Sequence, residues 1–137
     1  MVVSGINVAV LRRAFNRLVE GLNRYRIDET DDQLRDGLIQ RFELTYELSH
    51  KLIRRVLADR AANRDDVMGL SFQGLIRLAS DQGLISGDWP QWKQYRELKR
   101  KSSHLYEESA ALSVIADLAT FIAEISELLE RLDEKLR

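Results

Sequence analysis

The chain has 137 residues, 45% apolar and 31% charged, with 21 Lys and Arg against 22 Asp and Glu and a net charge of -1. That length suits one domain, residues 1–137, with a real core, and the apolar fraction excludes a disordered chain. The balanced charge excludes nucleic-acid binding by the surface as a whole, so any such contact needs a local basic patch.

In chain order, the first periodic segment runs from Ile6 to Tyr25. Leu11, Phe15, Leu18, Leu22 and Tyr25 fall at steps of four and three, one face of a helix. The stretch Ile27 to Asp32, with acidic and small polar residues, interrupts it. Thr30 with Gln33 reads as a capping box, which predicts a second helix from about Asp31 to Arg60. It carries two apolar stripes, Leu34, Leu38, Phe42, Thr45, Ser49, Leu52, Val56 and, beside them, Ile39, Tyr46, Ile53. A helix apolar over so much of its circumference is expected at the centre of the fold. Gly37 inside it costs about 1 kcal/mol relative to Ala, which close packing against another backbone would explain.

Arg60 to Asp66 reads as a polar loop. Ser71 predicts the cap of a short helix bearing Phe72, Leu75, Ile76 and Ala79 and ending at Gly83. Gly87-Asp88 before Trp89-Pro90 is a helix start with proline in the first turn, and Ser102-Ser103 breaks or bends that helix. The last segment, Glu107 to Leu136, reads as one helix, with Leu112, Ile115, Leu118, Ile122, Ile125, Leu129, Leu132 and Leu136 along it. So long a strip leaves apolar surface beyond one small domain's needs, which points to a dimer. The expectation is an all-α, up-and-down bundle of three long and about two short helices. With no cysteine, no apolar run of about 20 residues and no basic, apolar and cleavage-site sequence at the start, the expected location is cytoplasmic, off the membrane.

Two segments carry ionisable groups in suggestive patterns. In Arg35 to Leu48, Arg41, Glu43, Glu47 and, beyond it, Lys51 can pair along the helix or across to neighbours. Glu43 and Glu47 at a step of four also have metal-ligand spacing. Such sites, however, recruit a second helix with Glu-x-x-His, which is missing, so a paired charge stripe is favoured and no metal or cofactor is expected. The second segment, Trp92 to Tyr106, holds the densest basic patch: Lys93, Arg96, Lys99, Arg100 and Lys101, interleaved with aromatics and followed by His104. This combination suits phosphate contact. A neutral His104 beside cations can act as a general base toward a hydroxyl, or it is a helix-end histidine satisfied by a carbonyl; chemistry alone divides the two evenly. Glycine-rich phosphate loops, Gly-x-Ser-x-Gly elbows and His-Glu-x-x-His motifs are missing from the sequence.

Together these segments resemble the nucleotidyltransferase substrate-binding family, a branch of the HEPN superfamily. The resemblance lies in Arg35-Asp36-Gly37-Leu38-Ile39-Gln40-Arg41-Phe42-Glu43-Leu44-Thr45-Tyr46-Glu47-Leu48, in Gly83-Leu84-Ile85 followed by Trp89 or Trp92, and in Ser103-His104-Leu105-Tyr106-Glu107. It implies a dimerising helical bundle, encoded beside a minimal nucleotidyltransferase and associating with it. In related HEPN pairs one member is a toxin that cuts RNA without metal, using Arg-x-x-x-x-His, and the nucleotidyltransferase silences it by adenylylating a Tyr two residues after the His. Carried across, His104 takes the His position, Tyr106 the Tyr position and Lys99 the Arg position, with Arg100 where the family has Asn. An ammonium in place of a planar guanidinium is not a conservative exchange at a phosphate site.

The resemblance therefore implies first a non-catalytic subunit, homodimeric, that docks a minimal nucleotidyltransferase, with Arg96, Arg41, Glu43 and Glu47 as candidate binding residues. The alternative is a metal-independent ribonuclease acting on RNA through His104, Lys99 and Arg100 and controlled at Tyr106. A plain helical adaptor is the third reading.

Overall fold

The structure is a computed structural model and describes residues 2–3, 6–104 and 107–135. A two-residue hairpin, β1 (Val2–Val3) paired antiparallel with β2 (Ile6–Asn7), precedes seven helices. These are α1 (Val8–Ile27), α2 (Asp32–Arg60), α3 (Arg64–Met68), α4 (Phe72–Asp81), α5 (Trp89–Lys101), α6 (Glu108–Ala116) and α7 (Leu118–Lys135). The fold is an all-helical bundle, and among the described residues no helix is long and apolar enough to cross a membrane.

At 29 residues α2 is the longest helix, and it lies at the centre as its double stripe requires. Leu38, Ile39, Phe42, Tyr46, Leu52, Ile53 and Val56 are all buried, and α1, α3, α4, α5 and α6 each pack on it. Its buried Thr and Ser hydroxyls are satisfied within the helix: Thr45 Oγ1 donates to the Arg41 carbonyl at 2.8 Å and Ser49 Oγ to that of Tyr46 at 2.8 Å. Phe42, Tyr46, Tyr95 and Phe121 meet edge-on or tilted in the middle of the core, and Trp92 continues the group through Tyr95. Trp92 Nε1 is the one buried side-chain N–H with no partner among the described residues.

Several sequence expectations need correction. Helix α1 begins at Val8, because Ile6 and Asn7 pair with β1. Asp31, not Thr30, caps α2: its carboxylate accepts from the backbone N–H of Gln33 and Leu34, while the Thr30 hydroxyl turns back to Asp28. The polar stretch after Arg60 contains α3, capped by Asn63. The last segment is two helices, not one, because the chain leaves helical geometry at Asp117. That break redirects the apolar pattern. Ala111, Val114, Leu118, Phe121, Ile125, Leu128, Leu129 and Leu132 are buried, Ile115 and Ile122 are half-buried, and Leu112 is exposed. Most of the strip is thus taken up by the chain's own core, and Leu136 lies outside the described residues. The all-α bundle with three long helices, α1, α2 and α7, is as expected, and the described residues carry four shorter helices beside them.

Gly37 is also not where the backbones approach. A Cβ there would meet nothing within 4 Å, whereas one at Gly21 would sit 3.2 Å from Arg41 Cδ and one at Gly87 2.3 Å from Glu124 Oε1. Other punctuation is as the sequence predicts. Ser71 caps α4 through the Gly74 N–H, Gly83 adopts φ +70° after it, and Asp88 caps α5 with Pro90 in its first turn.

Candidate functional site

Helix α5 ends at Lys101 because Ser102 and Ser103 turn their hydroxyls onto the carbonyls of Lys99 (2.6 Å) and Arg100 (2.7 Å), using the acceptors that the next turn would need. The turn this creates carries His104, half-buried, whose backbone N–H donates to the Lys101 carbonyl and whose carbonyl accepts from Glu107. Tyr106, the candidate modification site, lies outside the described residues.

The packing of α5 on α2 brings Lys99 to the acidic step of the central helix. Lys99 Nζ lies 3.6 Å from Glu43 Oε2 and 3.5 Å from Glu47 Oε1. The charge stripe on α2 therefore pairs across to a neighbour, and the two carboxylates bracket an ammonium. Lys99 and Glu43 are largely covered and Glu47 more open, so the attraction is worth on the order of 1 kcal/mol. Its effect on a ligand is larger than its effect on stability. Two carboxylates within 4 Å cancel the field that a phosphate would meet at Lys99 and repel its oxygens.

The other candidates are held elsewhere. Arg100 makes a forked contact with Glu97 on its own helix, Nε at 3.1 Å and Nη2 at 2.8 Å from the same oxygen, in solvent. Arg96 stacks over the Trp89 ring at 5.0 Å. Arg41 donates Nη1 to the Arg17 carbonyl at 2.7 Å and lies against Gly21, which ties α1 to α2. Neither Arg96 nor Arg100 joins Lys99 between the glutamates.

Two groups stand apart from the sequence-derived set. Glu124, buried on α7, accepts at Oε2 from the N–H of Ser86 (3.2 Å), the Ser86 hydroxyl (3.1 Å) and the N–H of Gly87 (3.1 Å). Tyr95 OH lies 3.5 Å from its Oε1, and burial, then the Glu124 charge, pushes the Tyr95 phenol upward. This pin borders a cleft of about 380 Å³ that also carries Asp88 and Glu127. The second group surrounds His50, whose Nε2 is 3.2 Å from Arg54 Nη2 and whose ring meets Phe72 edge-on. The signal for each was an ionisable residue beside an apolar stripe, Glu124 next to Ile125 and His50 next to Ser49.

Comparison with known proteins agrees with the fold. The profile described as "Nucleotidyltransferase substrate binding protein like" matches residues 6–134. A Haemophilus influenzae protein named "Probable ribonuclease HepT" is 35% identical over 98% of this chain and 97% of its own. A solved Haemophilus influenzae structure, described as revealing the fold of a substrate binding domain of a nucleotidyltransferase, superposes with a TM-score of 0.87. It is 36% identical and covers 93% of this chain and 99% of that one. With the profile spanning nearly the whole chain and the bundle matching throughout, the chain belongs to the nucleotidyltransferase substrate binding protein like family.

Proposed function

We propose that this chain is a non-catalytic partner subunit that forms a homodimer and docks a minimal nucleotidyltransferase, in a toxin–antitoxin-like pair. The observation that carries the non-catalytic half is Lys99. It stands where the resemblance expects an arginine, and its charge is taken up by Glu43 and Glu47. A phosphate clamp needs donors left open toward the ligand, and neither Arg96 nor Arg100 replaces it from its observed position. The docking half is supported by the likeness to a structure described as a nucleotidyltransferase's substrate binding domain.

The test is co-expression with a minimal nucleotidyltransferase encoded beside this chain, followed by affinity capture and light scattering. A complex containing two copies of this chain is expected. Separate elution at micromolar concentration overturns the docking reading.

The relative named as a probable ribonuclease favours a second reading. In it, His104 takes the 2′-hydroxyl proton of RNA as the oxygen attacks phosphorus, and Lys99 with Arg100 offsets the charge on the phosphorane. The bond to the 5′-oxygen then breaks, leaving a cyclic phosphate and a protonated 5′-hydroxyl. Adenylylation of Tyr106 would block such a cleft. Inducible expression separates the readings: growth arrest with RNA loss that His104→Ala abolishes supports the ribonuclease, and normal growth with intact RNA supports the partner subunit.

A further inference from the structure

Along α2 a third stripe runs beside the two that fill the core. Gly37, Arg41, Leu44 and Leu48 follow one another at steps of four, three and four, one line on the helix surface. The chain's own packing leaves that line open. Leu44 is 52% exposed, Leu48 is half-buried, and a Cβ on Gly37 would meet nothing within 4 Å. A glycine inside a helix is unfavourable relative to alanine, and among the described residues no close contact requires one at position 37.

The stripe forms one wall of a groove against α1. Ala14, Arg17, Gly37, Gln40, Arg41 and Leu44 line a space of about 370 Å³, and the bond from Arg41 Nη1 to the Arg17 carbonyl ties the two walls together. Ala14 on α1 and Gly37 on α2 are small, so a third helix can approach closely, and Leu44 offers it an apolar contact. The ionisable residues of the lining are two arginines, with no carboxylate among them. The side chains of Arg17 and of Arg13, one turn before it, are exposed and make no ion pair among the described residues. Unlike Lys99, these cations are open toward a partner.

That charge decides between occupants. A second copy meeting this face across a two-fold axis would bring the groove to itself and set Arg13 and Arg17 against their own counterparts. A partner that is acidic where it meets α1 carries no such penalty. We propose that this groove holds an acidic amphipathic helix of the minimal nucleotidyltransferase, which leaves the homodimer to another face. The inference rests on the docking reading and adds to it the surface and the chemistry of the contact. Close approach of that helix is what a glycine at position 37 permits.

The test measures the affinity of the full chain for the nucleotidyltransferase encoded beside it, by titration calorimetry, with light scattering on each variant alone. Gly37→Leu fills the groove and Arg17→Glu reverses its charge; each is expected to weaken the complex by about tenfold or more. Arg77→Glu, the same reversal on the exposed side of α4, is expected to change it by less than about threefold. Neither Gly37→Leu nor Gly37→Ala is expected to lower the urea midpoint, because the added Cβ has open space and both residues favour helix over glycine. Wild-type affinity in both groove variants, equal weakening by Arg77→Glu, or a fall in the Gly37→Ala midpoint overturns the groove and leaves the docking reading standing. Loss of the homodimer in Gly37→Leu assigns the face to a second copy and overturns it too. No complex even with the unaltered chain overturns the docking reading, and the groove with it.

Discussion

Gly87→Ala should be among the most damaging single-methyl additions in this chain, and its cost should depend on Glu124. The new Cβ would lie 2.3 Å from Glu124 Oε1 and 3.2 Å from its Cδ. Relief requires the carboxylate to retreat by roughly 1 Å, which takes bonds of 3.1 to 3.2 Å out of hydrogen-bond range. Losing two or three donors to a buried carboxylate costs about 3 kcal/mol. Gly87 lies outside the left-handed region, so backbone strain does not enter. At a slope of about 2 kcal/mol/M, the urea midpoint should fall by about 1.5 M, read by far-ultraviolet circular dichroism. Glu124→Ala alone should cost about 2 to 3 kcal/mol by orphaning the Ser86 and Gly87 N–H groups. In the Glu124→Ala background the Cβ has room, and Gly87→Ala should cost less than about 1 kcal/mol, giving a coupling near 2 kcal/mol. Equal costs for Gly87→Ala in both backgrounds, within about 0.5 kcal/mol, would refute the collision as the cause.

His50 gives a pH signature. Burial, then the charges of Arg54 and Lys51, pushes its folded pKa down to about 4, so between 6.5 and about 4 the unfolded chain binds a proton that the folded one does not. Stability is then full above about pH 6.5 and falls as pH drops toward 4, by on the order of 2 to 3 kcal/mol. His50→Gln, which keeps an acceptor for Arg54, should flatten that part of a urea-midpoint profile against pH; an unchanged profile assigns it to other groups. Lys99→Ala should lower stability by less than about 1 kcal/mol, because the ion pair is partly solvated, and a loss above about 2 kcal/mol in urea melts would contradict that. Arg41→Ala should cost about 1 to 2 kcal/mol through the lost bond to Arg17 and the contact on Gly21, with hydrogen exchange rising first along α1. Ser71→Ala should cost about 1 kcal/mol by uncapping α4, measured in the same melts.

The sequence carried the bundle where pattern and punctuation agreed. The stripes of α2 from Leu38 to Val56, the Ser71 cap, Asp88-Trp89-Pro90 and the stop at Ser102-Ser103 were readable because local chemistry decides each. The break at Asp117 was not, since Ile115 and Leu118 keep helical spacing across it and only tertiary packing turns the following helix. The five residues of α3 are too few to show a period. At the site, Glu43 and Glu47 were legible as residues seeking a partner, while the identity of that partner depended on how α5 crosses α2. Gly87 and Glu124 are separated by 37 residues, and no local rule pairs them.

The contact between Arg12 and Asp133, 2.7 Å long and joining residues 121 positions apart, brings the beginning of α1 beside the end of α7. The first and last helices are accordingly neighbours in space although they are farthest apart in the chain. A short linker joining those two helices, with new ends opened in the exposed turn at residues 62–63, would preserve the helix–helix contacts while reordering the sequence. By the same geometry, labels at the beginning of α1 and at the end of α7 would report from the same pole of the bundle, a useful fixed point for measuring distances to a docked partner.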